Sequence, residues 1–178
     1  MWHEPAGRHL WLALLASRVN TILPASSDGD TQAVRQLFEQ YAASLAIDLS
    51  FQNFERELAS LPGDYSPPRG ALFLSRADGS AVGCIGLRPF AESEGELKRL
   101  YVVPAFRGRG LACSLVSAVI TAARRIGYSA LVLDTLASMK PAIALYKSFG
   151  FERTDAYYAN PLPDALYFRA SLEPNHKT

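Results

Sequence analysis

The segment of residues 96–112 constrains the fold most, because an apolar strand there leads through a glycine-rich turn directly into a helix. The first N–H groups of a helix lack intrahelical partners and lie at the positive end of its dipole. Gly108 and Gly110 allow a ligand to approach the backbone closely. The turn therefore predicts a cradle for a pyrophosphate, to which Arg107 and Arg109 would add charge-assisted hydrogen bonds.

Two other phosphate-binding motifs are absent from this turn. The sequence has no Gly-Lys-Ser or Gly-Lys-Thr of a P-loop and no Gly-x-Gly-x-x-Gly of a dinucleotide-binding fold. Taken by itself, the turn leaves one alternative open, which is an ordinary strand-to-helix connection with solvated arginines.

The chain before this segment predicts one strand and two helices. Residues 19–23 form the strand, Asp28 or Asp30 caps the first helix, and residues 51–61 form the second helix. Apolar side chains recur in the first helix at the spacing of an amphipathic helix. They are Val34, Leu37, Phe38, Tyr41 and Leu45.

Three strands are expected next, at residues 71–76, 81–88 and 96–103. Asp78-Gly79 is a turn signal, which predicts that the first two strands form a hairpin.

Helices and strands alternate in the remainder of the chain. Helices are expected at residues 110–126 and 139–149, with a continuous apolar strand at residues 130–133 between them. Two final strands are expected at residues 151–158 and 164–172. This order predicts one mixed α/β domain.

Size and composition agree with a single domain of 178 residues, of which 49% are hydrophobic and 20% charged. We predict an N-terminal extension at residues 1–19, either flexible or a docking helix, the domain at residues 20–172 and a short tail at residues 173–178. The apolar run at residues 10–16 is too short to cross a membrane, which takes about 20 residues. A net charge of +1 argues against a nucleic-acid partner.

The two cysteines, Cys84 and Cys113, have neither metal-ligand spacing nor the pattern of a disulfide framework. We therefore expect no metal and a reduced cytoplasmic setting. Cys113, near the glycine-rich turn, is expected to be a small buried apolar side chain, and a reactive thiol is the alternative.

Two motifs together resemble the GCN5-related N-acetyltransferase (GNAT) superfamily. Arg107-x-x-Gly110-x-Ala112, which follows the strand residues 100–102, is similar to the family's cofactor motif. Residues 142–151, Ala-Ile-Ala-Leu-Tyr-Lys-Ser-Phe-Gly-Phe, are similar to its second hallmark, Ala-x-x-Leu-Tyr-x-x-x-Gly-Phe. Both occur in the family's order and on the expected elements.

The resemblance implies a mostly antiparallel, seven-stranded mixed sheet flanked by about four helices and splayed between its fourth and fifth strands. It also implies acetyl-coenzyme A (acetyl-CoA) as co-substrate, with pantetheine in the gap and pyrophosphate on the turn. The implied cofactor residues are Leu100, Tyr101, Val102, Arg107, Gly108, Arg109, Gly110, Leu111, Ala112 and Cys113. Met139 departs from the family's frequent Asn, and Ser138 is the nearest substitute.

The implied reaction is the direct attack of an amine on the acetyl thioester through a tetrahedral intermediate. The Val102 N–H would stabilise the oxyanion, and the Tyr146 phenol would protonate the leaving thiolate. Glu96, directly or through water, would take the amine's proton, and a chain of water molecules is the alternative. Glu92 and Glu94 are weaker candidates for the base.

For two of these residues, an ordinary structural role is the alternative. Tyr146 could be an ordinary core tyrosine, and Glu96 a solvated carboxylate at a strand edge. We expect Lys98 and Arg99, on the same strand, to be surface charges, and the alternative is that they bind an acidic group of the substrate.

We expect the acceptor to be a small primary amine, with no membrane partner. The alternatives are a protein N-terminal or lysine acetyltransferase and a non-catalytic module that senses acyl-CoA. The architecture is compatible with a homodimer, although no sequence feature requires one.

Overall fold

The computed structural model describes residues 21–172, so the predicted extension at 1–19 and tail at 173–178 lie outside the described residues. Seven strands form one sheet in the order β1-β2-β3-β4-β5-β7-β6. Every neighbouring pair is antiparallel except β4 and β5. The strands are β1 Thr21–Pro24, β2 Ala71–Ala77, β3 Ser80–Pro89, β4 Glu94–Val102, β5 Ala130–Leu136, β6 Glu152–Thr154 and β7 Ala165–Ser171.

Four helices flank the sheet. They are α1 Asp28–Leu45, α2 Phe54–Ser60, α3 Leu111–Ile126 and α4 Lys140–Ser148. Helix α1 packs on β3 and β4 over one apolar cluster, and α3 packs on β2, β3 and β4 over a second. The predicted mostly antiparallel seven-stranded sheet with four helices is confirmed. No helix within residues 21–172 has the length and apolar character needed to cross a bilayer.

The start of α1 differs from the prediction, because Ser27 rather than an aspartate is the capping residue. The Ser27 hydroxyl accepts a hydrogen bond from the Asp30 N–H, and the Asp30 carboxylate accepts one from the Ser27 N–H. This reciprocal capping box satisfies two donors at the helix start, whereas a single aspartate cap would satisfy fewer.

Two other elements are shorter than predicted. Helix α2 begins at Phe54 instead of residue 51, because Asn53 adopts a left-handed backbone (φ 55°) after a 3₁₀ turn at Ser50–Gln52. Strand β6 covers Glu152–Thr154 instead of residues 151–158. Beyond it the chain leaves the sheet edge, and two tyrosines of the following turn donate hydrogen bonds to side chains of β4 and β5.

The sheet opens between its two parallel strands. β4 and β5 pair only where Glu94–Glu96 faces Ala130–Val132, and the rest of the two strands has no ladder between them. Strand β4 also has a bulge, where the β3–β4 register shifts between Cys84 and Gly86. Arg99 lies in the bulge with a positive φ of 58°. The predicted splay between the fourth and fifth strands is present.

Candidate active site

A cavity of about 600 Å³ lies beside the diverging end of β4. Its walls come from the end of α1, the end of β4, the glycine-rich turn, the first turn of α3 and the start of α4. Of the ten predicted cofactor residues, all except Arg109 line this cavity. Residues 138 and 139, where the sequence departs from the family pattern, line it as well.

The glycine-rich turn leaves open space in front of its backbone. Gly108 and Gly110 have positive φ angles of 71° and 78°, and a Cβ at either would meet no atom within 4 Å. Gly110 is the N-cap of α3 and provides no side-chain cap. The first N–H groups of α3 are therefore uncapped at an open cavity, an arrangement that fits a pyrophosphate.

The two arginines of the turn have different positions. The Nε of Arg107 donates a hydrogen bond to the Val102 carbonyl (2.9 Å), which ties the turn to β4. Its guanidinium carbon lies 5.8 Å from the centroid of the Tyr101 ring. Arg109 instead donates to the Ala105 carbonyl (3.0 Å) outside the cavity. Only Arg107 has its side chain at the predicted cofactor site.

Both cysteines are free, and one of the two is buried. Cys84 is fully buried at the β3–β4 interface. The prediction is wrong for Cys113, which is exposed, because its position in the first turn of α3 faces the cavity. Among residues 21–172, no group of three or more potential ligands could hold a metal ion.

A second, inner cavity of about 40 Å³ adjoins the first. Tyr41, Leu100 and Met139 line both cavities, and Tyr146 of α4 lines the inner one. The Tyr146 hydroxyl has no hydrogen-bond partner within the described residues. Burial raises the pKa of Tyr146 well above its usual value, so the phenol stays protonated at neutral pH.

Glu96 lines neither cavity and is not the solvated carboxylate of the alternative interpretation. It is 3% exposed, because it lies on the central strand β4. Its Oε2 is 2.6 Å from Arg88 Nη2, and its Oε1 accepts a hydrogen bond from the Tyr157 hydroxyl (3.0 Å). Lys98 Nζ lies 3.6 Å from Oε1. Of the contacts of this carboxylate within residues 21–172, Lys98 is the one that lines the inner cavity.

The expectation that Lys98 is a surface charge is wrong, since it is 5% exposed. Its Nζ lies 2.7 Å from Oδ1 of Asp134 on β5, and both side chains line the inner cavity. Asp134 also accepts hydrogen bonds from the Tyr158 hydroxyl (2.9 Å) and the Gln52 amide (3.3 Å). The sequence analysis missed Asp134, although a carboxylate within an apolar strand was a usable signal.

Arg99, also predicted at the surface, has a side chain that is only 2% exposed. Its Nη2 and Nε contact the two oxygens of Glu57 at 2.6 and 3.1 Å, and its Nη1 donates to Gln52 (2.9 Å). The guanidinium lies 5.0 Å from the Phe54 ring centroid. The bulge in β4 turns Arg99 toward α2, where strand alternation alone would not place it.

Stability is expected to fall at acid pH through these buried carboxylates. Burial raises the pKa of Glu57, but the hydrogen bonds and charge of Arg99 outweigh it and hold the pKa below the usual 4.5. Burial also raises the pKa of Asp134, but the charge and the hydrogen bond of Lys98 outweigh it and hold this pKa below the usual 3.8. Depressed folded-state pKa values give stability that is present above the unfolded values and lost as pH falls through the folded ones.

We therefore expect the free energy of unfolding to decrease below about pH 4.5. Chemical denaturation at neutral pH and at acid pH measures the change. The variant Glu57→Gln should show a shallower decrease than the wild type, and an equal decrease would mean that this carboxylate does not contribute.

Comparison with known proteins agrees with this architecture. Residues 32–151 match the Acetyltransferase (GNAT) family. An uncharacterized N-acetyltransferase of Schizosaccharomyces pombe is 41% identical over 145 residues, which cover 80% of this chain and 89% of the relative. The uncharacterized N-acetyltransferase YjgM of Escherichia coli is 35% identical over 131 residues, covering 71% and 78%.

The fold is shared with Salmonella typhimurium yncA, whose structure was solved with its cofactor acetyl-CoA. The TM-score is 0.64 at 21% identity, over 87% of this chain and 95% of that chain. The family match and the identity to the yeast relative extend over most of the chain. The chain therefore belongs to the GNAT family and is an acetyl-CoA-dependent N-acetyltransferase.

Proposed function

We propose that this enzyme transfers the acetyl group of acetyl-CoA to the primary amine of a small molecule. The observation that carries the proposal is the pair of adjoining cavities. The larger one presents the glycine-rich turn and the end of β4, and the smaller one presents Tyr146, Lys98 and Asp134. A donor in the larger cavity and an amine in the smaller one would meet where the two cavities adjoin.

Acetyl-CoA supplies the activated acetyl thioester, and the turn and β4 hold it. The free N–H groups at the start of α3 are suited to the pyrophosphate, and the backbone at residues 100–102 to the pantetheine amides. Arg107 fixes the turn against β4 through the Val102 carbonyl. The Val102 N–H is the proposed donor to the oxyanion of the tetrahedral intermediate, and such donors contribute most when they are preorganised.

Tyr146 is the proposed general acid. Its pKa is raised by burial, so the proton is present at neutral pH, and no described residue occupies the hydroxyl. The coenzyme A thiolate that leaves at the edge of the inner cavity can therefore accept this proton. General acid catalysis of this kind contributes about 10²–10⁴-fold in rate.

Glu96 is the proposed acceptor of the amine's proton, reached through water. The Lys98 ammonium, which lies 3.6 Å from Glu96 Oε1 and 2.7 Å from Asp134 Oδ1, would border this path at the inner cavity. The amine then attacks in its neutral form. Glu96 lies 3.6 Å from Lys98 of the inner cavity, whereas Glu94 pairs with Arg169 and Glu92 is exposed, so both are poorer candidates.

The inner cavity supports a small acceptor. Its volume of about 40 Å³ leaves room for an amine and a few neighbouring atoms, since a cavity that holds one water molecule needs about 10–15 Å³. An amine end fits such a space, whereas a folded protein surface would have to deliver its amine through a long extended segment.

An acetylation panel tests the proposal. Small primary amines and peptides with free N-termini or lysines are offered separately with acetyl-CoA, and free coenzyme A is measured. We expect turnover with small amines. Turnover confined to the peptides would overturn the proposal in favour of a protein acetyltransferase.

A further inference from the structure

A third cavity, here called the outer cleft, lies on the far side of Gln52 from the acetyl-CoA cavity. Its volume is about 480 Å³, and it is formed by α2, by the turn at Gly63–Tyr65 and by Arg88 of β3. Its walls are mostly polar and charged, unlike those of the acetyl-CoA cavity. Such a composition suits a small polar molecule.

Gln52 separates the outer cleft from the inner cavity, since it lines both. Its amide donates to Asp134 (3.3 Å) and to the Tyr158 hydroxyl (3.1 Å), and it accepts from Arg99 (2.9 Å). It is the last residue of the 3₁₀ turn at Ser50–Gln52, before the left-handed Asn53. The two spaces therefore meet at this side chain, with the Arg99–Glu57 pair beside it.

Some charged side chains around the outer cleft have hydrogen-bond or ion-pair partners, and others keep donors that no described residue uses. Glu57 is fully paired with Arg99 and also accepts a hydrogen bond from the Tyr65 hydroxyl (2.6 Å). Arg88 uses Nε and Nη2 on one oxygen of Glu96, so no described residue occupies its Nη1. Arg56 is exposed and has no ion pair or hydrogen bond within residues 21–172.

Two guanidiniums with unused donors therefore face one cleft. Arginine donors form a fork that matches a carboxylate, and charge-assisted hydrogen bonds of this kind are among the stronger ones in proteins. Glu57 and the exposed Asp64 also line the cleft. Their negative charges oppose a doubly charged phosphate more than a singly charged carboxylate.

We propose that the outer cleft binds the carboxylate of the acceptor through Arg56 and Arg88, so that the acceptor is a small amino acid whose amine reaches the inner cavity past Gln52. This inference rests on the proposed acetyl transfer to a small amine and specifies the substrate class. The narrow inner cavity receives the amine, and the cleft receives the remainder of the molecule.

The test compares matched acceptors that differ only at the end remote from the reacting amine. Amino acids from glycine to 6-aminohexanoate are compared with alkylamines and diamines of the same chain length, at saturating acetyl-CoA. For the best chain length, kcat/KM for the amino acid should exceed that for the alkylamine by about 10- to 100-fold. The diamine should be no better than the alkylamine.

Variants connect this preference to the cleft. Arg56→Ala should remove most of the ratio between amino acid and alkylamine, whereas Arg125→Ala should keep it. Arg125 is an exposed arginine in the last turn of α3 and lines none of the three cavities. Both variants are checked for folding by their thermal shift with acetyl-CoA.

Two results would overturn this inference while the proposed transfer stands. They are turnover of small amines without a carboxylate preference, and a preference that Arg56→Ala leaves intact. Failure to acetylate any small amine, with turnover of peptides alone, would instead overturn the proposed function itself.

Discussion

Replacing Tyr146 by phenylalanine is expected to lower kcat by about 10²–10⁴-fold while the affinity for acetyl-CoA stays nearly unchanged. The substitution removes only the hydroxyl that has no partner within the described residues and lines the inner cavity. The ring, which lies 5.9 Å from that of Phe151 between centroids, is kept. Steady-state kinetics with isothermal titration of acetyl-CoA separate the two effects.

Tyr128→Phe is the matched control. Tyr128 is as buried as Tyr146, but its hydroxyl donates to the Arg69 carbonyl (2.8 Å) and it lines none of the three cavities. Its loss should cost about 1 kcal/mol of stability and little activity. If Tyr146→Phe retained the wild-type kcat, the general acid would be another group and Tyr146 would serve only as a core side chain.

Replacing Glu57 by alanine is expected to lower the free energy of unfolding by about 3–5 kcal/mol. The change leaves the Arg99 guanidinium, whose side chain is 2% exposed, without its carboxylate partner. It also removes the acceptor of the buried Tyr65 hydroxyl. Chemical denaturation at neutral pH measures the effect.

Glu55→Ala on the same short helix is the control. Glu55 is exposed and forms no ion pair within residues 21–172, so its loss should change stability by about 0.5 kcal/mol or less. If the two substitutions lowered stability equally, the loss would come from removing any glutamate of this helix and not from leaving the buried Arg99 unpaired.

The parts of the fold that repeat at short range were predictable from the sequence. The apolar spacing of α1 predicted its buried face at Val34, Leu37 and Phe38, and the apolar run after residue 129 predicted the buried strand β5. The Asp78-Gly79 turn predicted the β2–β3 hairpin. Each of these features depends on residues that are close together in the sequence, so the sequence alone was enough to predict it.

The polar network at the splay was not predictable in the same way. Lys98 and Arg99 are adjacent in sequence, and an uninterrupted strand would send one of them to each face of the sheet. The bulge and the position of α2 instead bury both. Their partners, Asp134 and Glu57, lie 36 and 42 residues away, so only tertiary structure brings the charges together.

The glycine-rich turn was predictable in part. Its backbone pattern predicted the cradle, and the structure has the expected positive φ angles at Gly108 and Gly110. The sequence could not separate the roles of its two arginines. Hydrogen bonds to different carbonyls, Val102 for Arg107 and Ala105 for Arg109, hold their side chains in different places.

The central claim is that the cavity beside the splayed strands binds the acetyl donor. A thermal-shift titration with acetyl-CoA tests this claim most directly. At about 100 times its Kd, a ligand stabilises the folded state by about 2.7 kcal/mol. We expect a saturable shift in the wild type, a clearly weaker one in Arg107→Ala and a nearly unchanged one in Arg109→Ala. No shift in correctly folded wild-type protein, or equal loss in both variants, would contradict the assignment of the site.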